Sequence, residues 1–196
     1  MRLFAVLLII TGVAGCSTIP LSSALKLRQL NPLTADPKAI RIAVRLPDGI
    51  RVREDGAVME ITARRTDTAV TEKGRFVFRQ LTSATADAAD GLLAEADTHF
   101  EIFRIADDDV ARLRRLQETM KVWKAEAPDD AGGSLSIQIS GCRTAKLPPG
   151  PVVISTFLRT DPAEPFFTVM RNVDLRSAFN EGGQAHILPL CDSGAG

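Results

Sequence analysis

Apolar and polar residues alternate with a period of two over much of the chain, the pattern of half-buried β-strands. The segment IRIAVRL (40–46) places aliphatic side chains on one face and two arginines with an alanine on the other. AVMEITARR (57–65) and RFVFRQL (75–81) repeat this alternation. We predict antiparallel strands with one apolar and one solvated face, separated by turns at PDG and EDG.

Other segments carry apolar residues on both faces. HFEIFRI (99–105) and VVISTFLRT (152–160) have this composition, which is typical of strands in the centre of a sheet. SLSIQIS (134–140) and FFTVMRNVDL (166–175) are predicted as further strands.

One helix is predicted from about Asp108 to Ala125, with Asp107 or Asp108 as its N-cap and Pro128 beyond its end. Its apolar stripe is interpreted as core with Trp123 as a buried anchor, and a partner groove is the alternative. We therefore predict a mainly β fold, an antiparallel β-sandwich-like domain with one inserted amphipathic α-helix. The alternative is an α+β fold in which the helix packs on one antiparallel sheet. The stripe consists of Val110, Leu113, Leu116, Met120 and Trp123.

The N-terminus has the order of a secretory signal: a positive Arg2, an aliphatic run Leu3–Ile10, and small residues up to Gly15. Within it, VAGC (13–16) resembles the lipobox of bacterial lipoproteins. The resemblance implies cleavage before Cys16, acylation of its sulfur and of the new amine, and a membrane anchor. An ordinary secreted protein with a cysteine after its cleavage site is the alternative.

The resemblance divides the chain into a signal peptide (1–15), a lipidated tether (16–38) and one globular β-rich domain (39–196). It implies a bacterial envelope protein that faces the periplasm. Ser17 follows the cysteine where an aspartate favours inner-membrane retention in enterobacterial lipoproteins, so the outer membrane is favoured.

Charge excludes one class of partner. The whole chain has 24 basic and 24 acidic residues, and loss of Arg2 with the signal leaves a charge of about −1. Nothing in this balance indicates nucleic-acid binding.

Two cysteines remain after Cys16 is assigned to lipid. In an oxidising periplasm, Cys142 and Cys191 are predicted to form one disulfide. Two separate buried thiols, or a cytoplasmic location, are the alternatives.

Candidate catalytic chemistry is sparse. His99 and Glu101 share a strand face, but a metal site needs a third ligand and His186 is distant in the chain. The sequence has no nucleophile elbow, P-loop or dinucleotide glycine pattern. We predict no catalysis, no cofactor and no metal.

Arginines concentrate at outward positions of the early strands. An anionic partner such as lipopolysaccharide phosphates, peptidoglycan carboxylates or an acidic protein would suit such a face. A solvated face that discourages edge pairing is the favoured interpretation, because acids are interspersed. The residues are Arg41, Arg45, Arg64, Arg75 and Arg79.

These observations predict a membrane-anchored lipoprotein that acts as a binding or scaffolding accessory subunit with an envelope protein partner. A periplasmic enzyme, or a carrier of a lipid or other apolar ligand, is the alternative.

Overall fold

The computed structural model describes residues 33–81, 91–93, 95–147, 149–177 and 188–191. The predicted signal peptide, the lipobox with Cys16, and most of the predicted tether lie outside these residues, as does His186. Within the described ranges, no helix is both long enough and apolar enough to cross a membrane.

The fold is mainly β, as predicted, with seven strands and one long helix in the described part of the chain. All strand pairs are antiparallel, and the strand order is β5-β2-β3-β4-β1-β6-β7. The elements are β1 (Arg41–Pro47), β2 (Ile50–Arg65), β3 (Val70–Gln80), β4 (Thr98–Ile105), α1 (Asp107–Glu126), β5 (Ala131–Arg143), β6 (Val153–Arg159) and β7 (Phe167–Asp174).

The sheet curls around one main core. Ile50 on β2 belongs to the same buried apolar cluster as Ile42 on β1 and Ile154 on β6, although β2 is three and four strands away from them in the sheet. Strand β3 joins the two halves, since residues 70–77 pair with β2 and residues 78–80 pair with β4.

Helix α1 covers part of this core. Val110, Leu113 and Leu116 are buried in the main cluster. The predicted aspartate N-cap is wrong: Ala106 occupies the N-cap without a side-chain hydrogen bond. The first-turn carboxylates bind elsewhere, because Asp109 accepts a 3.0 Å hydrogen bond from the N–H of Val77.

The sequence EDG (54–56) is not a turn. It lies inside the 16-residue strand β2, where the register with β5 shifts between Val52 and Ala57. Asp55 adopts a φ of 55°, a left-handed conformation that aspartate tolerates in both turns and bulges. The Asp-Gly pair that led us to predict a turn therefore forms part of a β-bulge instead.

The outer face of β1 is not solvated as predicted. Ala43 is fully buried and packs in a second apolar cluster with Ile102 and Phe166. The apolar second faces predicted for β4 and β6 supply this cluster through residues such as Phe100 and Phe157, whose rings meet edge to face at 5.7 Å. The central strands are thus apolar on both faces.

Cys142 and Cys191 form the predicted disulfide. It holds the segment 188–191 against the end of β5, where Leu190 forms a parallel bridge with Arg143. The N–H of Arg143 donates to Pro189 at 2.8 Å, and the N–H of Cys191 donates to Arg143 at 2.9 Å.

Candidate functional site

An apolar cleft of about 280 Å³ lies between the second half of α1 and strand β5. A short turn places these elements side by side, because the N–H of Ala127 donates to Trp123 and the N–H of Ala131 donates to Ala127, both at 2.9 Å. The main apolar side chains lining it are Leu33, Ile61, Leu116, Met120, Trp123 and Leu135.

The helix stripe serves two purposes. Its first three positions are buried in the core, whereas Met120 and Trp123 are only partly buried and line the cleft. Trp123 packs against the main core cluster as predicted but is only partly buried, and its remaining surface lines the cleft. The chain provides more apolar residues on this face than the core covers.

Two glycines at the start of β5 line the cleft, and the second allows a close approach to β2. A Cβ at Gly133 would lie 2.4 Å from the carbonyl oxygen of Thr62 and 3.3 Å from Met120 Cε. Both Gly132 and Gly133 line the cleft, and Leu135 beyond them leaves 45% of its surface exposed.

Strand β5 is an edge strand that pairs with β2 on one side. Natural proteins protect sheet edges with charged residues and prolines. Residues 131–142 of β5 contain neither. Among the described residues, only the tail segment 188–191 pairs with its other side, at Arg143. Along residues 132–142, the alternate backbone N–H and C=O groups that point away from β2 therefore have no strand partner within the described ranges.

The opposite edge is different. Strand β7 has irregular register with β6 near Thr156, and Asn172 adopts a φ of 51°. It also carries Arg171 and Asp174. Bulges and charges of this kind discourage strand addition, so the two edges of the sheet are not equivalent.

The structure brings His99 and Glu101 together, as their shared strand face predicted. Glu101 is buried, and its Oε1 lies 3.6 Å from His99 Nε2 and 3.6 Å from Arg51 Nε. Asp48 Oδ1 lies 3.5 Å from His99 Nδ1. Within the described ranges, no three histidine, cysteine, aspartate or glutamate side chains are grouped so that they could hold a metal ion.

The predicted arginine face is largely engaged within the molecule. Arg45 pairs with Glu95 and also donates to Ser155 at 3.2 Å, which uses much of its hydrogen-bonding capacity. Arg79 pairs with Asp55. The remaining three lie on three different strands: Arg41 donates to backbone carbonyls beside β1, Arg75 lies 4.0 Å from Glu60, and Arg64 is exposed on β2.

Comparisons with protein-family models, curated proteins and solved structures found no match to this chain. Evidence for its function therefore comes from the surfaces of the protein itself. In the sequence, the only sign of the cleft was that the apolar stripe of the helix continues to Met120 and Trp123. The unprotected edge needed the strand order, which places β5 at one end of the sheet although β2, its neighbour, is far away in the chain.

Proposed function

We propose that this protein is a lipid-anchored envelope lipoprotein that binds an extended segment of an envelope protein. The segment adds as a strand to the edge of β5, and its side chains enter the cleft beside α1. The observation that carries the proposal is the long, uncharged edge of β5 next to an apolar cleft.

The backbone of β5 supports strand addition. An incoming strand satisfies N–H and C=O groups that otherwise bind water, which supplies affinity for any extended chain. The tail segment 188–191 already uses this mode at Arg143, with two backbone hydrogen bonds of 2.8 and 2.9 Å. The tail therefore occupies this edge at Arg143, and an added strand would pair with the residues of β5 that precede it.

The cleft supports selection among such segments. Alternate residues of an added strand point to the same side, so one set of side chains faces α1. Trp123, Met120 and Leu135 offer that set an apolar surface, and Trp123 provides a rigid contact of the kind common at binding hot spots. We expect a partner segment with apolar residues at alternate positions.

The carrier alternative is less well supported. Pockets that enclose drug-sized ligands measure roughly 300–1,000 Å³, and the cleft, at about 280 Å³, is smaller and open. A few side chains of a bound segment match that volume better than a whole lipid. The enzymatic alternative would depend on the cluster of His99, Glu101, Arg51 and Asp48, whose side chains contact one another and do not line the cleft.

The test compares two exposed apolar positions. Leu135 lines the cleft and is 45% exposed, whereas Val122 lies on α1 outside the cleft lining and is 51% exposed. The tagged full-length protein is crosslinked in its own cells, and co-purifying proteins are identified. We expect L135E to lose a discrete partner that the wild-type protein and V122E both retain. Equal capture by all three, or recovery of bulk envelope proteins alone, contradicts the proposal.

The anchor is tested separately. Metabolic labelling with a palmitate analogue is expected to label the wild-type chain and not Cys16→Ala. Fractionation should place the labelled protein with the membranes, and outer-membrane fractions are expected to contain it. An unlabelled wild-type chain contradicts the anchor without bearing on the cleft.

A further inference from the structure

Four arginines form a row across four adjacent strands. Arg79 on β3 is the register partner of Arg104 on β4, which is also opposite Arg41 on β1. Arg41 is in turn opposite Arg159 on β6. Directly opposite residues share a face and have Cα atoms about 4.5–5.5 Å apart, so like charges there destabilise the sheet.

Carboxylates neutralise only part of this row. Arg79 pairs with Asp55, and Arg104 binds Asp107 through two hydrogen bonds of 2.6 and 2.9 Å. Arg41 instead donates to the carbonyl oxygens of Lys38 and Ile40, at 2.6 and 2.9 Å. No carboxylate of the described ranges lies within ion-pair distance of Arg41.

The surroundings of Arg41 are positively charged. Its pKa is lowered by burial and by the charges of Arg159 and Arg104. Lys38 also lies close enough to Asp107 to lower the pKa of that carboxyl, after the larger effect of the hydrogen bond from Arg104. Lys38 therefore lies near Asp36 and Asp107, whereas the charged neighbours that lower the pKa of Arg41 are Arg159 and Arg104.

We propose that Lys38, Arg41 and Arg104 bind a phosphate group, with Arg159 adding positive charge from β6. Guanidinium groups bind phosphate oxygens through paired N–H donors, and an anion here relieves repulsion between opposite arginines. Arg41 and Arg104 are partly exposed, so a ligand can reach them from solvent. The shared chemistry is a phosphate ester or free phosphate.

The position of the row identifies a source to test. Lys38 lies three residues before the start of β1 at Arg41 and ends the predicted tether, so the row lies where the tether enters the domain. If the proposed anchor holds, this end of the domain is near the membrane, and anionic lipid headgroups are within reach. Soluble phosphate is the other source.

The first measurement uses the full-length protein in detergent, where the anchor is not needed. Thermal unfolding is followed in inorganic phosphate and in chloride of equal ionic strength. Phosphate stabilises proteins generally, so each variant is compared by its own phosphate-dependent rise in Tm. We expect R41Q to lose most of the rise seen in the wild type. R64Q removes the same charge at an exposed position of β2, and this variant is expected to retain the phosphate-dependent rise in Tm.

The second measurement distinguishes the sources and depends on the proposed anchor. The protein is placed in vesicles of phosphatidylcholine, with or without phosphatidylglycerol, and phenylglyoxal modification of Arg41 and Arg64 is quantified by mass spectrometry. If phosphatidylglycerol slows the modification of Arg41 severalfold and leaves that of Arg64 unchanged, the site binds a lipid headgroup. Protection by inorganic phosphate alone assigns it to a soluble phosphate compound. The proposal is overturned if phosphate raises the Tm of the wild type no more than that of R41Q, and if neither phosphate nor phosphatidylglycerol protects Arg41 selectively.

Discussion

The buried carboxylate of Glu101 accepts a 2.9 Å hydrogen bond from the backbone N–H of Val52. Val52 is the last residue of β2 before its register with β5 shifts. A side chain from β4 thus satisfies the backbone at the point where the sheet is interrupted, and it links two strands that are not neighbours in the sheet. Arg51, with its Nε 3.6 Å away, provides a compensating charge.

Glu101→Ala is expected to destabilise the protein by about 2 kcal/mol, because it leaves a buried N–H without an acceptor and an internal gap. Denaturant unfolding of the disulfide-intact protein measures this. Glu54→Ala, in the exposed part of the same bulge, is the matched control and should change stability little. Equal effects of the two substitutions would show that the Glu101 contact contributes nothing specific.

The disulfide is expected to contribute about 4 kcal/mol, since it closes a loop with a sequence separation of 49 residues. Denaturant unfolding of C142S/C191S against the oxidised wild type gives the difference. Thiol counting on the unreduced protein should find neither cysteine free, and two free thiols would contradict the pairing.

Adjacent glycines provide a matched pair of substitutions in the cleft. Gly133→Ala is expected to destabilise by more than about 1 kcal/mol, because its Cβ meets the backbone of Thr62. Gly132→Ala meets nothing within 4 Å, and it should be neutral or stabilise by less than about 1 kcal/mol through the unfolded chain. Thermal unfolding measures the stability of both variants. A Gly132→Ala variant less stable than Gly133→Ala would contradict the close contact of β5 with Thr62.

Stability is expected to fall in acid partly through Asp174. The hydrogen bond from the N–H of Val152 and that from Ser177 hold the pKa of Asp174 below its ordinary value of 3.8. Because the pKa is lower in the folded state, the ionised carboxylate stabilises the folded protein at pH values above the ordinary pKa. This contribution is lost as the pH falls through the folded-state pKa. Asp174→Asn should therefore show a smaller loss of stability on acidification than the wild type. Asp129→Asn, in an exposed turn, is the control that should follow the wild type.

Local pattern predicted most of the elements. The alternation in 40–46 and 75–81 identified strands, and the stripe from Val110 identified a helix that the structure extends by one residue at each end, to Asp107 and Glu126. These signals are local because a strand or helix buries its own periodic face. The disulfide was likewise predictable once Cys16 was assigned to lipid.

Features that depend on distant segments were not predictable. Ala43 is buried because Ile102 and Phe166 pack on it from other parts of the chain, and its small side chain gives no local sign of this. The arginine row requires the register of Arg41 with both Arg104 and Arg159. The exposed edge of β5 likewise follows from strand order, a property that no single segment encodes.

Strand addition at β5 is tested most directly by amide hydrogen exchange of the full-length protein, alone and in complex with the partner captured from its own cells. We expect slower exchange in peptides covering residues 132–139 when the partner is bound, since an added strand protects the edge amides of β5. Residues 167–174 of β7 should exchange at the same rate in both states. A complex that leaves residues 132–139 unchanged while protecting other surfaces would contradict the claim that β5 is the binding edge.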